Sequence, residues 1–126
     1  MGKPPFEEIC RQFLRREDKK GNLPFEGLLT GSWWGNDKRQ KKQTDVDVIM
    51  ADRLTKSMIL GECKWKNDFK DVAEIEKLLQ KKDLFPEYDN QYYAFFSKTA
   101  YSRQALEMKK KNDRLMLYTL KDLFQE

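Results

Sequence analysis

The sequence predicts an α/β protein with a mixed central sheet flanked by helices. Three observations lead there. Three β-prone runs follow one another between residues 27 and 65 with short links, and short links favour antiparallel neighbours because parallel strands need a longer crossover. An amphipathic helical segment comes next. A fourth strand-like run then follows, and a strand–helix–strand order places that strand parallel to the third through a right-handed crossover. At 126 residues the chain is one domain's worth, 1–126, with one core and no repeat, linker or internal boundary.

The elements read in order. Residues 5 to 17 form a helix, with Phe6, Ile9, Cys10, Phe13 and Leu14 on one apolar stripe. Pro4 and Pro5 suit its entrance, and Asp18-Lys19-Lys20-Gly21-Asn22 ends it. Gly27 to Gly35 is a strand, Asn36 to Gln43 a polar basic loop, and Thr44 to Ala51 a second strand. Period two puts Asp45, Asp47, Ile49 and Ala51 on one face of that strand and Val46, Val48 and Met50 on the other. Ser57 to Trp65 is a third strand, apolar on both faces as far as Glu62, as expected of a central strand covered above and below. Asp71 to Lys82 is a helix with Val72, Ile75, Leu78 and Leu79 inward. Gln91 to Ser97 is the fourth strand, and its aromatic run Tyr92, Tyr93, Phe95 and Phe96 belongs to the core. Tyr101 to Lys111 is a helix, Arg114 to Thr119 a fifth strand and Leu120 to Glu126 a terminal helical turn.

Composition removes several function classes. There is no histidine, so neither a Ser-His nor a Cys-His pair exists, and the common zinc sites are excluded. Any metal must take oxygen ligands, which points to Mg²⁺, Mn²⁺ or Ca²⁺. Cys10 and Cys63 each lie in an apolar segment, where a free thiol acts as a small hydrophobe. No apolar run approaches the roughly 18 residues of a membrane span and no secretory signal is visible; a cytoplasmic protein without a membrane partner is expected. A net charge of +4 and a pI near 9.0 permit nucleic-acid binding without requiring it.

The chemistry concentrates in Asp47, then fourteen residues, then Glu62-Cys63-Lys64. Glu62 and Lys64 share a face of their strand, as do Asp45 and Asp47 of theirs. Where those faces coincide, carboxylates gather at the end of a central sheet. They repel, and each is costly to bury. A divalent cation resolves both problems.

This pattern resembles the PD-(D/E)xK nuclease superfamily, on Val46-Asp47 for the first half-motif, with valine in place of the proline, and on Glu62-Cys63-Lys64 for the second. The resemblance implies a restriction-endonuclease-like core: helix, three-strand meander, helix, strand. The segments Phe6-Glu7-Glu8-Ile9-Cys10, Gly31-Ser32-Trp33-Trp34-Gly35, Gly61-Glu62-Cys63-Lys64-Trp65 and Phe96-Ser97-Lys98 further resemble an uncharacterised domain at the C-terminal side of archaeal and bacterial P-loop ATPases. No GxxxxGK[ST] occurs here, so the chain is a free-standing relative or an excised piece.

The superfamily resemblance implies that Asp47, Glu62 and the Cys63 backbone carbonyl bind Mg²⁺, with Mn²⁺ a substitute. It implies that Lys64 handles the attacking water, and that Glu7 steadies the metal's water shell. Glu7 aligns with Cys10 and Leu14 toward the core, whereas Glu8 aligns with the solvated row Arg11, Gln12 and Arg15. Lys38, Arg39, Lys41 and Lys42, beside the Asp47 strand, and Lys98 are candidate phosphate contacts.

Each of these residues also has a plain structural reading. Glu62 and Lys64 also fit an ion pair at the sheet's rim, Asp45 a strand start, Glu7 a helix flank and the basic loop a solvated hairpin tip. Trp33 and Trp34 offer base stacking or core packing, Trp65 a lid on the core, and Lys109-Lys110-Lys111 a helix end suited to the dipole. The expected function is a Mg²⁺-dependent nuclease acting on DNA. The alternative is a catalytically silent nuclease-like module that binds or regulates an ATPase or DNA partner. Nucleases of this type often pair as homodimers to cut both strands.

Overall fold

The structure, a computed structural model, describes the backbone of residues 6–27, 29–37 and 42–124 and the side chains of 6–27 and 45–124. The helix entrance at Pro4 and Pro5 and the cluster Lys38, Arg39 and Lys41 lie outside the described residues; Lys42, Trp33 and Trp34 are described in backbone only.

The first helix, α1, runs Phe6–Lys20. It outlasts the expected end because Asp18-Lys19-Lys20 continues it, with Lys19 and Lys20 in the last turn, where cations suit the dipole. Gly21 is the true stop. Its φ of 75° is open to glycine at little cost. The Gly21 N–H then donates to the Asp18 carbonyl at 3.0 Å and the Asn22 N–H to the Glu17 carbonyl at 2.9 Å, the paired closure of a Schellman end.

Five strands form one sheet in sequence order: β1 (Leu29–Asp37), β2 (Lys42–Asp52), β3 (Ser57–Lys64), β4 (Asn90–Ser97) and β5 (Leu115–Thr119). The first three pair antiparallel; β4 pairs parallel to β3, and β5 parallel to β4. The two ends of the segment expected as a loop, Asn36–Gln43, carry strand pairing instead, with Asn36 opposite Gln43 and Asp37 opposite Lys42. Backbone ladder bonds there prevail over polar composition.

Helix α2 (Asp71–Leu79) leads into a 3-10 segment, Gln80–Leu84, so the expected α-helix to Lys82 stops three residues early and tightens. Helix α3 (Arg103–Lys111) joins β4 to β5, and α4 (Leu120–Leu123) follows β5.

The sheet divides the core in two. On one face α1 and α4 bring Phe6, Cys10, Phe13, Leu14 and Leu123 against Val48, Met50, Ile59, Ala94 and Phe96. On the other, α2 and α3 bring Ile75, Leu78 and Ala105 against Met58, Leu60, Phe95, Leu115 and Leu117. β3 is apolar on both faces because each is covered, as the sequence predicts.

Val46 corrects the expected alternation. It packs with Ile49 and Ala51 on the α2 face, while Val48 and Met50 face α1. The register explains this: from Gly31 to Trp33 β1 advances two residues while its partners on β2, Ile49 to Val46, advance three. β2 therefore holds one extra residue at Asp47-Val48, a β-bulge, and the period-two pattern slips across it.

Gly61 keeps β2, β3 and β4 close beside this bulge. A Cβ at Gly61 would lie 3.0 Å from Val48 Cβ, 3.3 Å from the Val48 carbonyl oxygen and 3.4 Å from the Phe96 ring. The first two belong to the fixed backbone and its first side-chain atom, so they yield little. Gly61→Ala is expected to destabilise the protein by roughly 1–3 kcal/mol, read as a lower denaturant midpoint at unchanged slope.

Candidate active site

The site grows out of the bulge. Pairing of β2 with β3 ends at Val48 opposite Gly61. Beyond it the Asp47 side chain takes over from the ladder: its Oδ2 accepts from the Cys63 N–H at 2.9 Å. The β2 carbonyls on either side of Val46 accept from long cations. Arg11 of α1 donates to the Asp47 carbonyl at 3.3 Å, and Lys81 of the 3-10 segment donates to the Asp45 carbonyl. The bulge thus re-aims Asp47 toward β3, as bulges beside functional sites do.

The structure places Asp47 within electrostatic reach of Glu62. Asp47 is only 8% exposed. Burial raises its carboxyl above the usual range; the Cys63 N–H opposes this, and the charges of Glu7 and Asp45 add to it. Burial, then the Asp47 charge, push Glu62 up to about 7, with Lys81 pulling the other way. Two buried carboxyls that both resist ionisation, with the Asp47 charge acting on Glu62, make a place suited to a cation. Glu7 reaches this field from α1, on the helical line it shares with the fully buried Cys10 and Leu14. Glu8 lies in the other row, bonded to Arg11 at 2.9 Å and Gln12 at 3.4 Å.

Glu62 and Lys64 do not pair with each other. Lys64 shares its strand face with Glu62 but pairs with Glu74 of α2 at 3.5 Å. Glu62 instead pairs with Lys81, Nζ to Oε1 at 3.3 Å. Arg11, Glu74 and Lys81 are thus site residues that the sequence pattern does not single out. For Lys81 a signal exists: helical positions three apart are neighbours on one face, so Lys81 follows the buried Leu78 along the inward stripe. Glu74 carries no such mark, and Arg11 reads as part of the solvated row.

Cys63 turns its side chain toward α1, packed against the core of that face. A hydrogen bond with Cys10 and burial hold its thiol far above the ordinary range, so it is no thiolate nucleophile. Lys98 follows β4 at the same sheet edge, its N–H donating to the Lys64 carbonyl at 3.2 Å. Its ammonium lies 4.8 Å from the centre of the Trp65 ring, which is 42% exposed and backed by Phe6 at 4.9 Å. A ring resting on a core phenylalanine fits the role of lid.

Among the described residues no three His, Cys, Asp or Glu side chains are grouped to hold a metal ion. The donors present still suit one cation class. Mg²⁺ binds through one or two carboxylates and keeps several waters, and Asp47 with Glu62 offers two carboxylates whose mutual repulsion a divalent ion relieves. No described helix is long and apolar enough to cross a membrane.

A family described as archaeal and bacterial proteins of unknown function, DUF234, matches residues 1–77, a stretch that contains Asp47, Glu62 and Lys64. An uncharacterized protein of Methanocaldococcus jannaschii is 29% identical over 120 residues, covering 93% of this chain and 24% of that protein. The chain thus spans about a quarter of that relative's length. Among solved structures, the MspJI restriction endonuclease in complex with a 27-mer oligonucleotide superposes with a TM-score of 0.54 at 11% identity, over 94% of this chain and 26% of that one. The fold is restriction-endonuclease-like.

Proposed function

The chain belongs to the DUF234 family, and on that premise we propose that it is a metal-dependent nuclease that hydrolyses phosphodiester bonds, with DNA the expected substrate. The observation that supports this most is the electrostatic opposition between Asp47 and Glu62, two buried carboxyls that both resist ionisation. A fold has no structural need for that repulsion, and a divalent cation turns it into binding.

In this reading Asp47, Glu62 and the Cys63 carbonyl hold Mg²⁺ or Mn²⁺. The ion would polarise the phosphoryl group and lower the pKa of a bound water. The chain's own residues do the rest. The Cys63 N–H fixes Asp47 in one orientation, so little reorganisation remains when charge develops. Lys64 leaves Glu74 to orient water and offset charge on the transferring phosphoryl group. Glu7 orders water from the α1 side. Lys98, beside Trp65, contacts a neighbouring phosphate.

The test combines binding with cleavage. Mg²⁺ or Mn²⁺ at about a hundredfold over its Kd should stabilise the folded protein by about 2.7 kcal/mol, read as a higher thermal midpoint, and Glu62→Ala should abolish the rise. Plasmid or single-stranded DNA should be cut in Mn²⁺ by the wild type and not by Lys64→Ala.

A second reading has its own support. Lys64 is paired with Glu74 and Glu62 with Lys81, the pattern of a site closed by internal ion pairs. A silent nuclease-like module, serving a DNA partner or the P-loop ATPase that the sequence resemblance suggests, would show it. Metal binding without cleavage of any nucleic acid would favour this reading.

A further inference from the structure

Lys81 is the unexpected member of the site. Lysine is almost never fully buried unless paired, yet the side chain of Lys81 is only 14% exposed, and that of its partner Glu62 17%. It arrives from the 3-10 segment, in the layer opposite α1, and its ammonium spans two oxygens of different strands: Glu62 Oε1 on β3 at 3.3 Å and the Asp45 carbonyl on β2. These strands are the ones that part at the bulge. A cation bridging oxygens across that gap, one of them a proposed metal ligand, does what a bound metal ion does.

We propose that Lys81 is a built-in occupant of the cation position: its ammonium neutralises Glu62 and ties β2 to β3 while no metal is bound, and a divalent ion must displace it to bind. The inference rests on the metal-centre reading above and adds a gate to it. The geometry supports displacement rather than permanent sharing. One oxygen of Glu62 is already committed to the ammonium, and an ammonium beside a divalent ion is strongly repelled at such separations. The exit is short, because Lys81 is the second residue of a five-residue 3-10 segment at the surface end of α2, and its four-carbon stem can swing to solvent. The same arrangement frees Lys64, on Glu74, from neutralising Glu62.

Mn²⁺ affinity of the whole chain, measured by calorimetry and by the paramagnetic signal of free Mn²⁺, decides the matter without reference to cleavage. Lys81→Gln should lower the thermal midpoint of the metal-free protein and tighten Mn²⁺ binding by at least about tenfold, because the competing charge is gone. Lys77→Gln is the control. It removes an exposed ammonium from Glu74 at 3.5 Å and should leave the Mn²⁺ affinity near that of the wild type. If Lys81→Gln binds Mn²⁺ no more tightly than the wild type, the gate is wrong while the metal centre stands. If only Lys81→Gln binds Mn²⁺, the lysine keeps the wild-type site shut and the inference holds. If neither protein binds Mn²⁺, both the gate and the metal centre fall.

Discussion

Glu62→Gln is expected to make the metal-free protein more stable at pH 8, by about 3 kcal/mol, while removing nuclease activity. The carboxyl of Glu62 is pushed from an ordinary 4.5 up to about 7 by burial and by Asp47, against the pull of Lys81. A tenfold change in proton affinity between the unfolded and folded chain is worth about 1.4 kcal/mol. Between pH 4.5 and 7 the folded protein holds a proton that the unfolded chain has released, so stability falls as pH rises through that window. Glutamine imitates the protonated form and can still accept from Lys81, so the variant escapes the fall. Denaturant midpoints of the two proteins should coincide near pH 4 and separate progressively up to pH 8. Saturating Mg²⁺ should close the gap from the wild-type side only. A variant that gains stability as it loses function is the mark of a residue kept for chemistry. Equal midpoints at every pH would mean that Glu62 is fully compensated in the fold and carries no such role.

The sheet and the acidic pair are legible in the sequence for a physical reason: both depend on short-range periodicity. Both-face apolarity in Ser57–Leu60 marks a covered central strand, and period two sets Glu62 and Lys64 on one side of it. Asp47 is within reach for the same reason, although strict alternation puts its neighbour Val46 on the wrong face. A bulge adds one residue against a partner strand, and nothing local to Val46-Asp47-Val48 announces it. Ion pairs are the other blind spot. Which acid meets Lys64, and which lysine meets Glu62, depends on how α2 lies across the sheet and on its conversion to a 3-10 segment after Leu79. Both are tertiary facts. The end of α1 shows the reverse: the charged run Asp18-Lys19-Lys20 has the composition of a stop, but the stop is the single residue able to take φ of 75°, Gly21.

Asp47 offers the sharpest separation of structure from chemistry, because one carboxylate serves both. Its Oδ2 satisfies the Cys63 N–H at 2.9 Å where β2 no longer pairs with β3. Asp47→Asn keeps an acceptor of the same shape in that place and deletes a charge that burial, Glu7 and Asp45 all disfavour. Its stability should match or exceed that of the wild type. Asp47→Ala leaves the Cys63 N–H without its acceptor, which costs about 1–3 kcal/mol when no water replaces it. Both variants lose one ligand of the proposed cation, and with it metal polarisation worth several kcal/mol in the transition state, so both should cut DNA at least about a hundredfold more slowly in Mn²⁺. Stability thus sorts the variants one way and activity another: asparagine resembles wild type in the denaturation curve and alanine in the cleavage assay. An Asp47→Asn protein that cleaved at the wild-type rate would leave Asp47 as a clamp on β3 and nothing more. The ion would then have to be held without it.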